Sequence, residues 1–206
     1  MINHPKLNLA CGEKTLDSFF NIDKVSLPGV NAVVNLEDFP WPIESGSAER
    51  IICEQYIEHT PMDTYSRRLV KAVQESVDFN ELKERVSKID LDAPSDGLIL
   101  FMEEVHRILK PKGFIELATP YYSSDVCWRD PTHRRAITEV SYQYFNKKWR
   151  ENSKLTHYGI TTDFEVHIRR YDMYGDINFD SNTEKVNAMR YYNNVIFVMH
   201  AKLIKL

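Results

Sequence analysis

Apolar and polar positions alternate in short runs through the first quarter of the chain, and this pattern predicts strands. "KLNLA" (6–10), "FFNID" (19–23), "NAVVNL" (31–36) and "RIICEQ" (50–55) are four such runs, with no tight hairpin signal between them. Strands joined in this way point to a parallel sheet. Pro40 and Pro42 make 38–49 a loop.

The period then changes to that of a helix. Over 62–77, Leu69, Val73 and Val77 recur at every fourth position and predict an apolar stripe. Asp78 followed by Glu81 resembles a capping box for a second helix, with Leu82, Val86 and Ile89 on one face. Residues 90–97 read as a loop. A third helix over 98–109 aligns Phe101, Val105, Ile108 and Leu109, and stops at the turn "KPKG" (110–113). "FIELATP" (114–120) is a fifth strand.

After a polar, aromatic loop (121–135), Thr138 is placed to cap a helix running to Trp149. "FEVHIRRYDMY" (164–174) and "NVIFVMHAKLIKL" (194–206) read as two late strands with little between them except a polar loop, hence an antiparallel pair. The expected fold class is α/β: a mostly parallel sheet closed by a C-terminal antiparallel pair. The 206 residues favour a single domain, 1–206, with a helical insertion at about 62–96.

Composition changes the picture little. Hydrophobic residues make up 43% of the chain, which supports a core, and the net charge of −4 gives no global pull towards nucleic acid or membrane. No apolar run approaches the ~20 residues of a membrane helix. Cys11, Cys53 and Cys127 show neither metal spacing nor a disulfide framework, which suits a reducing cytoplasm. His4, His157, His167 and His200 show no ligand spacing, and no zinc or iron site is expected.

"LNLACGEKTLDSFFNID" (7–23) carries the first candidate chemistry. A strand entering a glycine turn lets backbone N–H groups approach a ligand, and Asp23 closes the next strand. A carboxylate there accepts two hydrogen bonds from a ribose diol, or else caps a turn. Further on stand Asn35-Leu36, "CEQYIEHTP" (53–61) and "EEVHRILKPKGFIELATP" (103–120).

Together these stretches resemble the class I S-adenosylmethionine (SAM)-dependent methyltransferases, and among them the small type 11 branch. "LNLACG", "NID", "FPWPIESGSAERI", Glu58-His59 and "RILKPKG" follow that branch's order, and "DPTHRRAIT" (130–138) is a weaker echo. The resemblance implies a Rossmann-like fold and S-adenosyl-L-methionine as cofactor. It places Leu9, Ala10, Cys11 and Gly12 along the methionine end, Asp23 at the ribose, and Asn35 and Leu36 beside the adenine. Glu54 and Gln55 would lie under the sulfonium, or else form a solvated strand end. The chain departs from the pattern where Ala10 replaces a glycine, Glu13-Lys14 a further glycine position, Asn35 an aspartate, and Glu49 the aspartate before the fourth strand.

In that fold the loop "WRDPTHRR" overhangs the reacting methyl. Trp128, Arg129, His133, Arg134 and Arg135 are the candidate acceptor-binding residues, and His133 is the candidate general base. The other reading has the arginines in solvent and His133 bonded to a loop carbonyl. Glu58-His59 also reads as an anchor for the next helix. The acceptor is not specified; a small molecule, nucleotide or sugar is expected before DNA. A non-catalytic binding module that keeps the fold is the alternative, with the insertion as its partner surface. A dinucleotide or nucleotide-sugar enzyme is fainter, because no Gly-x-Gly-x-x-Gly turn is present.

Overall fold

Seven strands form one sheet in the order β3-β2-β1-β4-β5-β7-β6 in a computed structural model, which describes residues 1–89, 95–175, 179 and 181–206. The first five, β1 (Lys6–Leu9), β2 (Phe20–Asp23), β3 (Ala32–Val33), β4 (Ala48–Glu54) and β5 (Leu109–Pro120), are parallel. The last two, β6 (Phe164–Met173) and β7 (Ile196–Lys205), are antiparallel to their neighbours. The α/β class and the antiparallel ending agree with the pattern of the sequence.

The register explains the alternation. Leu9, Cys53, Leu117 and Ala201 lie side by side across four strands, as do Leu7, Ile51, Ile115 and Leu203. All are buried, and they meet Phe101, Met102, Val105 and Ile108 of α3 (Gly97–Ile108) in one core. Positions of opposite parity form the other face: Arg50, Glu116 and Lys202 are solvated there, with Arg50 Nε donating to Glu116 at 2.8 Å and Lys202 over the Phe114 ring.

No helix joins β1 to β2. A buried asparagine pair, Asn8 and Asn21, each 5% exposed, organises that connection instead. Asn8 donates to Asn21 Oδ1 and to Lys14 O, while Asn21 exchanges hydrogen bonds with the backbone of Leu16. Their polar atoms are satisfied by the loop they hold, as buried amides require.

Several expectations are corrected. The third strand is two residues long, because Val34 N–H bonds Asp23 O and the chain then turns through Asn35. The expected stripe faces solvent: Leu69 and Val73 of α1 (Tyr65–Glu75) are 44% and 58% exposed, Val77 lies beyond the end of the helix at 90%, and Ala72 is the residue α1 buries. In α2 (Phe79–Ser87), Asp78 does cap, accepting from Asn80 and Glu81 N–H, but the Glu81 carboxylate returns to Val77 N–H. The expected helix after Thr138 breaks into α5 (Glu139–Gln143) and α6 (Lys147–Asn152), because Asn146 caps a fresh start through Trp149 N–H. "KPKG" is drawn into β5, with Lys112 at φ +65°. The last two strands are separated by α7 (Asn182–Tyr191), capped by Ser181. Residues 90–94 of the expected loop lie outside the described residues. A short helix, α4 (Asp125–Arg129), lies in the loop after β5.

Candidate functional site

The strand order reverses direction between β1 and β4, and open α/β sheets bind ligands at such a point, outside the carboxyl ends of the strands. A cleft of about 420 Å³ lies there, lined by residues from five successive strand ends. Ala10 follows β1, Asp23 and Lys24 end β2, Val34 to Glu37 follow β3, Tyr56 and His59 follow β4, and Thr132 and Arg134 come from the loop after β5. This volume falls in the range of small-molecule sites.

The floor is built by the turn after β1. Ala10 and Gly12 both sit in the left-handed region, each at φ +51°. A Cβ on Gly12 would touch nothing within 4 Å, so its conformation, and not crowding, is what favours glycine. Gly12 N–H donates to Asp23 Oδ2 at 2.8 Å, and Val25 N–H donates to Oδ1 at 3.0 Å. Each carboxylate oxygen keeps a further lone pair for a ligand. Leu9 is wholly buried beneath, and Cys11 is buried with its thiol pushed up by burial and then by the Asp23 charge.

The rim beyond β3 is tied to α1. Asn35 spends its amide locally, donating to Asp38 Oδ2 and accepting from Glu37 N–H. Glu37 pairs with Arg67 of α1 at 2.5 Å. Leu36 is buried, its carbonyl accepting from the Trp41 indole N–H.

Glu54 and Gln55 are exposed at the end of β4 and are not among the lining residues. Glu54 pairs with Lys14 at 3.6 Å, and Gln55 takes φ +52° while its N–H bonds Ala118 O.

The far wall is the part the sequence left open. A single helical turn (Ile57–His59) places His59 on the cleft and Glu58 beneath it. Glu58 is 1% exposed, and burial pushes its carboxyl up to about 7. His133 packs edge-on against His59, ring centroids 4.6 Å apart, with its side chain 8% exposed and away from the lining. His133 Nδ1 donates to Cys127 O at 2.8 Å, so in the neutral ring the lone pair lies on Nε2. His59 Nδ1 meets Thr132 Oγ1 at 3.0 Å, and Thr132 gives its own hydrogen to Asp130 at 2.7 Å. His59 Nδ1 is therefore the donor, and its Nε2 is free. Burial first, then the nearby His133, lowers the His59 pKa, which favours neutral imidazole.

Of the other loop residues, Arg134 lines the cleft and is exposed. Arg135 turns inward: it pairs with Asp96 at 2.9 Å and donates to Thr60 O and Pro61 O. Trp128 is 67% exposed, with its indole N–H on Tyr122 O, and Arg129 is exposed at the end of α4. Reading the sequence singles out neither Lys24, Val34, Tyr56 nor Thr132 for the cleft, and takes His59 as an anchor. The signal available for His59 and Thr132 was the coincidence of "EH" and "DPTH" with strand ends that must face one another.

No family model matches the chain, and no curated protein matches it in sequence. Solved structures do. A SAM-dependent methyltransferase from Archaeoglobus fulgidus superposes with a TM-score of 0.55 at 11% identity, covering 99% of this chain and 86% of the other. A putative methyltransferase from Bacillus halodurans gives 0.46 at 12% identity, covering 98% and 91%. A SAM-dependent methyltransferase from Thermotoga maritima gives 0.47 at 10% identity, covering 100% and 84%. The first of these likenesses shows the fold: the Rossmann-like α/β sheet of the class I methyltransferases.

Proposed function

We propose, from the class I methyltransferase fold and the cleft at its switch point, that this chain binds S-adenosyl-L-methionine and transfers its methyl group to a small acceptor. The observation that carries the reading is Asp23, fixed by Gly12 N–H at one oxygen and Val25 N–H at the other, at the edge of a cleft at the strand ends. A carboxylate held from behind in this way presents its remaining lone pairs to a ribose diol. Leu36 and Val34 supply apolar surface for the adenine, and Asn35 contributes backbone there because its side chain is engaged. Ala10 takes the left-handed conformation of the replaced glycine and brings the methionine end against the turn. Glu54 and Gln55 are assigned to the strand end below the sulfonium, acting through charge and backbone position.

The acceptor would enter between Tyr56, His59, Thr132 and Arg134. Methyl transfer from a sulfonium needs alignment above all, and orientation supplies much of the rate. Arg134 and Lys24 suit an acceptor bearing an anionic group. Where the nucleophile carries a proton, we assign its acceptance to the His59–His133 pair: His59 touches the cleft, and His133 positions it. Trp128, Arg129 and Arg135 shape the loop; of these Arg135 does so from inside. No helix of the described residues is long and apolar enough to cross a membrane.

The test is incubation with methyl-labelled SAM and separate pools of nucleotides, sugars and small carboxylic acids. Label entering one small-molecule pool, with release of S-adenosylhomocysteine, is the expected result. Label confined to DNA, or no turnover with any pool together with no thermal stabilisation by SAM, would count against the reading.

A further inference from the structure

The stacked histidines have a third member. Glu58, His59 and His133 each bring one ligand-type atom to within 4.8 Å of the others. Neither oxygen of the buried Glu58 carboxylate has a hydrogen-bond partner. A buried carboxyl without a hydrogen-bond partner is costly and calls for a ligand, a water or a functional role to account for it. The two imidazoles are oriented for the same purpose. His133 is fixed by Cys127 O through Nδ1, and His59 by Thr132, which is itself held by Asp130. Each Nδ1 is committed outward to a neutral oxygen, leaving both Nε2 lone pairs free. Outer partners of this kind orient metal-bound histidines.

We propose that Glu58, His59 and His133 form a site for one divalent transition metal of the zinc class, at the acceptor end of the cleft. Two imidazoles with one carboxylate suit zinc, cobalt or iron, whereas magnesium and calcium prefer sets made wholly of oxygen. Three protein ligands leave positions open, as in sites that act on a bound molecule. A tetrahedral set at about 2.1 Å from the ion has its ligand atoms about 3.4 Å apart. Ligand atoms that now lie within 4.8 Å of one another reach that spacing by side-chain shifts of about 1 Å. Asp130, 3.9 Å from His133 Nε2, adds negative charge nearby, and Lys24 opposes it. The proton acceptance assigned to His59 above belongs to the metal-free site; an ion here takes both Nε2 lone pairs, and in the loaded site an acceptor oxygen would be activated by a Lewis acid. The site stands on its own ligands and does not depend on which cofactor fills the cleft.

Cobalt is the probe. Tag-free protein, stripped with EDTA and titrated with Co²⁺, is expected to take up one ion per chain, develop visible d–d absorption, and lose both to Zn²⁺. His59→Ala and His133→Ala are each expected to weaken binding at least tenfold, and Thr132→Val, which frees the His59 ring, about tenfold. Should His133→Ala fail to fold, the isosteric Glu58→Gln gives the same answer, with metal-free folding intact and Co²⁺ affinity lost. No uptake at a hundred micromolar Co²⁺, or uptake unchanged in the His59 and Glu58 variants, would overturn the site.

Discussion

The Gly12 N–H donates to Asp23 Oδ2 at 2.8 Å, so the turn after β1 and the end of β2 are locked to one another before any ligand arrives. Asp23→Ala frees two backbone N–H groups that now meet a charge. The expected cost is about 1.5–3 kcal/mol of stability, read as a fall in Tm of several degrees. Asp23→Asn, which keeps one acceptor oxygen, is expected to lose about half as much. An unchanged Tm in Asp23→Ala would show that the carboxylate does not organise the turn.

Ala10 holds φ +51°, where an L-residue is strained by about 1–2 kcal/mol. Glycine removes that strain and costs about 0.5–1 kcal/mol of chain entropy in exchange. Ala10→Gly is therefore expected to raise stability by somewhat under 1 kcal/mol, and Ala10→Val to lower it. Chemical denaturation of the three proteins checks the order; a destabilised glycine variant would contradict it.

His106 points to a dependence on acid. Its Nε2 is buried without a partner, and its ring packs edge-on against Phe164. Burial first, and the Lys205 charge second, lower its pKa, with Glu103 and Asp163 opposing. The folded state therefore holds fewer protons than the unfolded state. The stability this confers is complete above about 6.5, the unfolded value, and is lost as pH falls through the lower folded pKa. Denaturation midpoints measured from pH 7.5 down to 5 are expected to fall more steeply in the wild type than in His106→Gln. Parallel slopes would remove His106 from the account.

Arg135, a candidate for the acceptor in the sequence, turns inward in the structure. It pairs with Asp96, the cap of α3, and donates to the carbonyls of Thr60 and Pro61. Arg135→Met leaves those acceptors short of donors at a partly buried site, at an expected cost of about 1–3 kcal/mol. Arg134→Met, at an exposed position on the cleft, is expected to leave Tm alone. Equal effects on stability would contradict the division of labour.

What was legible follows from what each segment buries. α3 was readable because Phe101, Val105 and Ile108 all enter the core, so its period is enforced by packing. The stripe of α1 has the same period and misleads, because Leu69 and Val73 face solvent and enter no core. α7 was invisible for the converse reason: it buries only Ala188, and its polar residues carry no period. In the cleft, Ala10 and Asp23 follow directly from strand ends. His59, Glu58 and His133 did not, since their meeting depends on two loops that join only across the folded sheet. The alternation in "KLNL" and "FIEL" also held more than was taken from it. It marks a sheet with one solvated face, and the Asn8–Asn21 pair ties the β1–β2 connection together on that side.

Equilibrium binding of SAM to the wild-type protein and to Asp23→Ala, with NAD as a control ligand, tests the central claim most directly. The account predicts saturable, one-to-one binding of SAM by the wild type, no binding of NAD, and loss of at least tenfold in affinity in the variant. Absence of SAM binding by the folded wild-type chain, or equal affinity in Asp23→Ala, would contradict it.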